Sequence, residues 1–379
     1  MKKVFMYVNF TTYDMTIGIS KKIRSEIDTL RKMGYEVWYC GYIKKGVAIF
    51  GPNDNIYVQK QYHISNRLYF RLRRFFLIHI SSQFLKQEKF DIGYLRWCAF
   101  DPPYLKMLKR MKNKGCATIL MESLGYFPGI VMHGLNGRYE KFWTVLNQKI
   151  AGRYIDLVLT EGNFDSMWGK PAIEFGMGVD VENITKHSYS GKKDEYHFIT
   201  VANETRYHGY DRLIKSLDRY YMEKASPYIY IHFVGEISQN TKSLVNDRIK
   251  DYIVFHGKLS GEALDHVFAA SNIAVGPVAQ YRVGGKKDTG LKTKEYFARG
   301  IPYFYSGHEE EKLKNFKYIY QVPDDDSPID FREIIRFYQS IDVKLASKAM
   351  REYALNHYSW SGKYQKVFAY MKEKGMKYE

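Results

Sequence analysis

The 379-residue chain alternates short β-rich apolar runs with longer stretches of helical period. Residues 4–8 form the first such run. Ile23, Ile27, Leu30 and Met33 then recur at helical spacing behind Ser20 as N-cap, and Gly34 stops the helix before a run at 36–40. Further runs at 92–95, 117–121, 157–160 and 172–175 are mostly separated by helical segments. This alternation predicts a mainly parallel sheet covered on both faces. Residues 186–195 (KHSYSGKKDE) are polar and read as a linker. Beyond them the alternation restarts, with strands at 196–202, 228–234, 253–256 and 273–275 and helices at 209–220, 238–249 and 263–270. A helix from residue 291, stopped by Gly300, and a run at 301–305 follow, and only helices are expected after residue 323.

A chain of this length is comfortable for two domains, each with its own core. Its start reads as a buried strand, not a signal peptide, and no apolar stretch approaches the ~18 residues that span a bilayer. Cys40, Cys98 and Cys116 are odd in number and widely spaced, so neither a disulfide framework nor a zinc site is supported. A reducing cytoplasm fits. Charge adds an asymmetry. Residues 1–190 hold 28 Lys/Arg against 16 Asp/Glu, net +12, and the remaining 30 against 25 give +5, summing to +17. Positive excess in one half suggests an anionic surface or ligand. Residues 67–80 mix Arg67, Arg71, Arg73 and Arg74 with aromatic and aliphatic residues. Such a helix either lies on an anionic membrane or packs its apolar face on its own sheet. No nucleic-acid recognition module is present.

Candidate chemistry gathers at loop–helix junctions. A Gly-rich basic loop, 282–289, runs into the helix that begins at Gly290 and Leu291. Unpaired N–H groups and the positive dipole end make such a terminus an anion site, and Lys292 adds a full charge. Glu295, one turn on, suits two adjacent hydroxyls such as those of a ribose. The plain alternative is an ordinary loop, a helix and a Gly C-cap. In 201–214, Arg206 and His208 precede a helix start and are two cations suited to a diphosphate. The competing reading is a solvated loop. Gly257, Lys258 and Leu259 form a glycine turn between a strand and the next helix.

Residues 290–302, GLKTKEYFARGIP, resemble the loop–helix segment of retaining GT-B glycosyltransferases of family 4. The resemblance covers nearly the whole chain and is strongest over 196–305. It implies an α/β fold of two Rossmann-like domains facing across a cleft: 1–187 on the acceptor side, 188–350 binding the nucleotide-sugar, and a helix within 351–379 crossing back from Tyr358-Ser359-Trp360. It also implies that Thr289, Gly290, Leu291 and Lys292 hold the donor diphosphate and that Glu295 holds the ribose. Asn203 and His208 stand where relatives carry arginine and lysine, with Arg206 as compensation. Gly257, Lys258 and Leu259 resemble the turn that admits the nucleotide base in GT-B glycosyltransferases. Lys287 replaces a second glutamate, so that residue's sugar contacts do not carry over. In the first domain Thr16 and Gly18 resemble the glycine loop under donor and acceptor. Glu122 resembles the glutamate of an E-x-P-x-Y-P segment, and Arg96 likewise ends a strand near the cleft.

The function so implied is a cytoplasmic hexosyltransferase using a nucleotide-diphosphate-sugar and a lipid-linked or growing surface glycan. Lys292, Arg206 and Glu122 are its candidate catalytic groups. An anionic membrane at the inner face of the cell membrane is a further expected partner. The nucleotide-sugar is a substrate, and no cofactor or metal is expected, since Asp324-Asp325-Asp326 lies in a late polar turn. An epimerase on the same fold and a non-catalytic nucleotide-sugar binder remain alternatives.

Overall fold

The computed structural model describes residues 1–13, 18–123, 134–162, 164–189, 194–284, 290–307, 313 and 315–376. Contacts divide the chain into two units, residues 1–178 with 360–379, and residues 179–359. The breaks therefore fall at 178/179 and 359/360, not at 187/188 and 350/351. His187 explains the first difference. It is buried in the second unit, where its Nε2 lies 2.8 Å from the Ser271 carbonyl and its N–H donates to Arg299 O at 2.7 Å. Met350 and Ala354 explain the second, because both are buried in the second unit's core with Phe297.

The first unit opens with β1 (Lys3–Thr11), α1 (Gly18–Lys32), β2 (Glu36–Ile43), β3 (Gly46–Phe50) and β4 (Ile56–Gln61). It continues with α2 (Asn66–Phe84), β5 (Ile92–Arg96), α3 (Pro102–Asn113), β6 (Thr118–Ser123), α4 (Gly134–Gly152), β7 (Leu157–Thr160), β8 (Ser166–Met167) and β9 (Lys170–Glu174). The sheet order is β4-β3-β2-β1-β5-β6-β7-β9-β8. Strands β2-β1-β5-β6-β7-β9 pair in parallel, while β3, β4 and β8 pair antiparallel at the edges. Central strands buried on both faces read as continuous apolar runs, and β6 is buried at all its positions. Local chemistry sets the helix starts. Asp101 caps α3 by accepting from Tyr104 N at 3.1 Å, with Pro102 and Pro103 in the first turn where no N–H is needed. Ser20 lies inside α1 instead of capping it, and its hydroxyl donates to Thr11 O at 3.0 Å.

The second unit contains β10 (Glu195–Val201), α5 (Tyr210–Met222), β11 (Tyr228–Val234), α6 (Gln239–Lys242), β12 (Ile253–Gly257), α7 (Glu262–Ala269) and β13 (Ile273–Val275). Then come α8 (Leu291–Arg299), β14 (Tyr303–Ser306), β15 (Ile319–Val322), α9 (Phe331–Ser340) and α10 (Val343–His357). All six strands are parallel in the order β12-β11-β10-β13-β14-β15. Apolar side chains of α5 and α9 fill one face, and those of α7, α8 and α10 the other. The order reverses direction between β10 and β13, the position beyond whose carboxyl ends such sheets bind ligands. The last helix, α11 (Trp360–Glu373), belongs to the first unit, where Trp360, Tyr364 and Val367 pack with Ile23 and Ile27 of α1.

Candidate functional site

The reversal point of the second unit is pinned by Tyr296 of α8. This side chain is buried, accepts from Val201 N at 3.3 Å and donates to Val275 O at 3.1 Å, so it joins the carboxyl ends of β10 and β13. The two following loops are then tied together, with Ala279 N donating to Tyr207 O at 3.1 Å. Gly209 makes that approach feasible. Its φ is +67°, and a Cβ there would stand 2.8 Å from Val278 Cγ2.

His208 and Lys292 come together at this point. His208 is 3% exposed, and its Nδ1 accepts from Thr205 N at 3.2 Å, which leaves the proton of the neutral ring on Nε2. Burial first, and then the positive charge of Lys292, push the His208 pKa down to about 3. The imidazole is therefore a neutral N–H donor at physiological pH, not the second cation expected from its position. Lys292 Nζ is itself buried. Gly290 is the N-cap of α8, so Lys292 lies in the first turn beside the positive end of the dipole.

Glu295, one turn further, is held by Arg299. Its Oε1 accepts from Arg299 Nε at 3.1 Å and Nη2 at 3.0 Å, and the Arg299 Nη1 pairs with Asp265 at 2.7 Å. Arg299 also lies over the Phe268 ring, 4.0 Å from its centroid. One carboxylate oxygen is thus committed, while Oε2 has no hydrogen bond among the described residues. The carboxylate is preorganised by a side chain, Arg299, that sequence reasoning passed over although it lies at i+4.

The remaining candidates of this unit separate. Asn203 follows β10, and its Oδ1 accepts from Glu236 N at 3.0 Å. Lys258 pairs with Glu236 at 2.7 Å on the exposed surface, Gly257 closes β12 with φ +68°, and Leu259 packs on the core. Arg206 is exposed and lines an open cavity of about 420 Å³ with Asp211, Arg212, Lys215 and Arg282. The acidic run is consumed by protein contacts. Asp324 accepts from Tyr281 N at 3.2 Å and Ser306 Oγ at 2.6 Å, and Asp326 pairs with Arg282 at 2.8 Å. Thr16, Lys287 and Thr289 lie outside the described residues, and Gly18 is the first residue of α1.

In the first unit Glu122 and Arg96 do meet, at the carboxyl ends of β6 and β5, but inside a closed group of four charges. Lys22 Nζ lies 2.7 Å from Glu26 Oε1 and 2.5 Å from Glu122 Oε1, and Arg96 Nε lies 3.0 Å from Glu122 Oε2. The side chains of Lys22, Glu26 and Glu122 are no more than 1% exposed. Burial by itself raises the pKa of Glu122, yet Arg96 and Lys22 together outweigh it and hold the carboxyl down at about 2. Glu26 goes the other way, because burial is opposed less completely by Lys22 while Glu122 repels. With both oxygens of Glu122 occupied and no exposure, this geometry corrects the expectation of a carboxylate open to substrate. The group fastens α1 to the sheet. Lys22 and Glu26 were missed; their only signal was an i, i+4 pair in α1.

Of the two readings of the 67–80 stretch, packing on the sheet is the one observed for most of its apolar residues. Leu77, Ile78 and Ile80 are buried in the core, Arg74 pairs with Asp101 at 2.7 Å, and Arg73 lies 4.5 Å from the Tyr42 ring centroid. Helix α2 therefore packs most of its apolar side chains on its own sheet, leaving Leu68 and Phe70 exposed. No helix among the described residues is long and apolar enough to cross a membrane.

No protein-family model and no curated protein matches the chain. Solved structures do. The chain is similar to the lipopolysaccharide outer core galactosyltransferase WaaB in its apo form, with a TM-score of 0.58 and 14% identity over 98% of this chain and 100% of that one. It is similar to a putative UDP-N-acetylglucosamine 2-epimerase from Listeria monocytogenes, with a TM-score of 0.57 and 9% identity over 98% and 96%. Anabaena Alr3699/HepE in complex with UDP and glucose matches with a TM-score of 0.52 and 10% identity over 98% and 100%. The chain thus has the fold of these structures, two Rossmann-like units in one polypeptide, known as GT-B.

Proposed function

We propose that the protein is a retaining glycosyltransferase that moves a hexose from a nucleoside-diphosphate-sugar to a lipid-linked or growing cell-surface glycan in the cytoplasm. The observation that carries this reading is the convergence of Lys292, His208 and Glu295 around the start of α8, at the reversal point of a six-stranded parallel sheet. In the reaction, the acceptor hydroxyl oxygen bonds to the anomeric carbon as that carbon's bond to the diphosphate oxygen breaks, the hydroxyl proton passes to the departing nucleoside diphosphate, and negative charge grows on that phosphate as it leaves. Lys292, the first-turn N–H groups of α8 and the Nε2–H of neutral His208 are the donors suited to that charge. Glu295, fixed by Arg299, suits the two ribose hydroxyls. Arg206 is exposed, so it is assigned only a supporting part in diphosphate binding. Glu122 is assigned no chemical step. The donor and acceptor are substrates, and the reading needs no cofactor and no metal.

A second reading, epimerisation of a nucleotide-sugar, is favoured by the description of the Listeria neighbour. One experiment separates the two. Purified protein is incubated with a panel of nucleoside-diphosphate-sugars, with and without membrane-extracted glycan acceptor, and the products are resolved. Acceptor-dependent release of nucleoside diphosphate is the expected result. Epimerised nucleotide-sugar without release would establish the second reading, and binding without any turnover would overturn both.

A further inference from the structure

Helix α4 is packed inside out. The positions it buries are small or polar, namely Gly137, Thr144, Asn147, Ala151 and Gly152. Five of its large apolar side chains point away from the unit: Leu135 is 84% exposed, Phe142 and Leu146 59%, Val145 51% and Ile150 42%. At about 100° per residue these five fall on one continuous face. Arg138, Lys141 and Lys149 are exposed and run along one side of it. The helix's one carboxylate, Glu140, lies on the opposite, partly buried side.

The outward facing is fixed by the contacts underneath. A Cβ at Gly152 would stand 2.4 Å from Trp168 O, so only glycine allows this approach. Asn147 Nδ2 donates to Phe100 O at 2.9 Å, and Tyr139 donates from its hydroxyl to Asp101 at 2.8 Å. Rotating α4 to bury its apolar side chains would break all three. Five large apolar side chains exposed along one face are characteristic of an interaction surface, not of a solvated helix.

Charge selects the occupant. A second copy docking through the same face would set Arg138, Lys141 and Lys149 against their own counterparts across the two-fold axis. An anionic lipid surface pairs with those cations while its acyl boundary receives the apolar stripe. Residues 1–190 add a net +12, from 28 basic and 16 acidic residues, to the same attraction. We propose that α4 is an interfacial anchor lying in the headgroup region of an anionic phospholipid membrane. The membrane contact thus lies on α4, and it deepens the proposed function by naming where a lipid-linked acceptor is met.

The test needs no sugar transfer, so its failure is distinguishable from failure of the transferase reading. Full-length protein is sedimented with vesicles of phosphatidylglycerol and phosphatidylcholine, or of phosphatidylcholine alone, at about 0.1 M and 1 M salt. Preferential binding to the anionic vesicles, weakened by salt, is expected. The double substitution F142S/L146S, at exposed positions, should lower the partition coefficient at least about tenfold. K141Q/K149Q should remove much of the salt-sensitive part while keeping the apolar part. Both variants should keep the wild-type melting temperature and, by calorimetry, the wild-type response to UDP. Indifference of the wild type to anionic lipid, or unchanged binding by F142S/L146S, would overturn the proposal. A dimer seen by sedimentation velocity without lipid, and dispersed by F142S/L146S, would overturn it in favour of a second copy.

Discussion

Lys22, Glu26, Arg96 and Glu122 bring four ionisable groups together where Lys22, Glu26 and Glu122 are no more than 1% exposed. Breaking a buried pair is more damaging than never having built it, because the surviving charge is left uncompensated. Glu122→Gln should therefore lower unfolding free energy by about 3–5 kcal/mol in urea titrations. Glu26→Gln should lower it clearly less, since burial already disfavours the ionised form of Glu26. A folded, fully stable E122Q protein with collapsed turnover would instead return Glu122 to the chemistry. His208 gives a second residue-scale outcome. Its pKa falls from 6.5 unfolded to about 3 folded, so between those values the unfolded chain binds the extra proton. Stability then rises with pH through this window, by up to about 1.4 kcal/mol per unit from this one group, and is complete above 6.5. His208→Asn should flatten that rise relative to wild type. Working between pH 5 and 6.5 keeps the comparison above 4.5, the ordinary value from which Glu122 is lowered to about 2.

Helix α8 is the element on which the donor-side reading stands. Its apolar side, its Gly300 stop and the Lys292–Glu295 spacing were all legible in the sequence, because a loop, a period and a cap agree there. What the sequence withheld was the orientation of Glu295, since that depends on Arg299 being shared with Asp265 from α7. Glu295→Ala should weaken nucleoside-diphosphate binding by about 1.5–3 kcal/mol in calorimetry while leaving the fold intact, because Arg299 keeps Asp265. Unchanged affinity would remove Glu295 from the site. Elsewhere, elements failed for local or for tertiary reasons. The helix expected at 238–249 ends at Lys242, after which Asn246 accepts from Arg248 N at 3.0 Å and diverts the backbone into a turn. The β3–β4 hairpin went unread although the turn-rich Gly51–Asn55 stretch between two β-rich runs was its signal. In α4 the period is plain, but which side is buried is set by how closely the sheet's neighbours approach Gly152, and no one-dimensional pattern contains that.

At the scale of the whole molecule, the strand orders and the net charge of +17 bear on how negative charge is handled in the proposed transfer. A metal-assisted transferase holds its cation with oxygen ligands fixed near the diphosphate. Here the acidic run after β15 is spent otherwise: Asp324 accepts from Tyr281 N and Ser306, and Asp326 binds Arg282. The reversal point instead presents Lys292, a helix start and a neutral His208 held deprotonated on Nδ1. Protein donors of this kind act without reorganising, which is where most electrostatic catalysis arises. Transfer is therefore expected to persist in excess chelator. Lys292→Ala should lower kcat by about 10²-fold or more, the loss typical of one such donor, with a smaller effect on donor binding. Arg206→Ala should lose less, because its side chain is exposed and lines a cavity whose lining includes neither His208 nor Lys292. Loss of turnover in chelator, restored by magnesium or manganese, would refute metal-free transfer outright. Near-normal turnover in both variants would show that the diphosphate binds at a different loop, and the cavity formed by Arg206, Arg212, Lys215 and Arg282 would then be the next place to substitute.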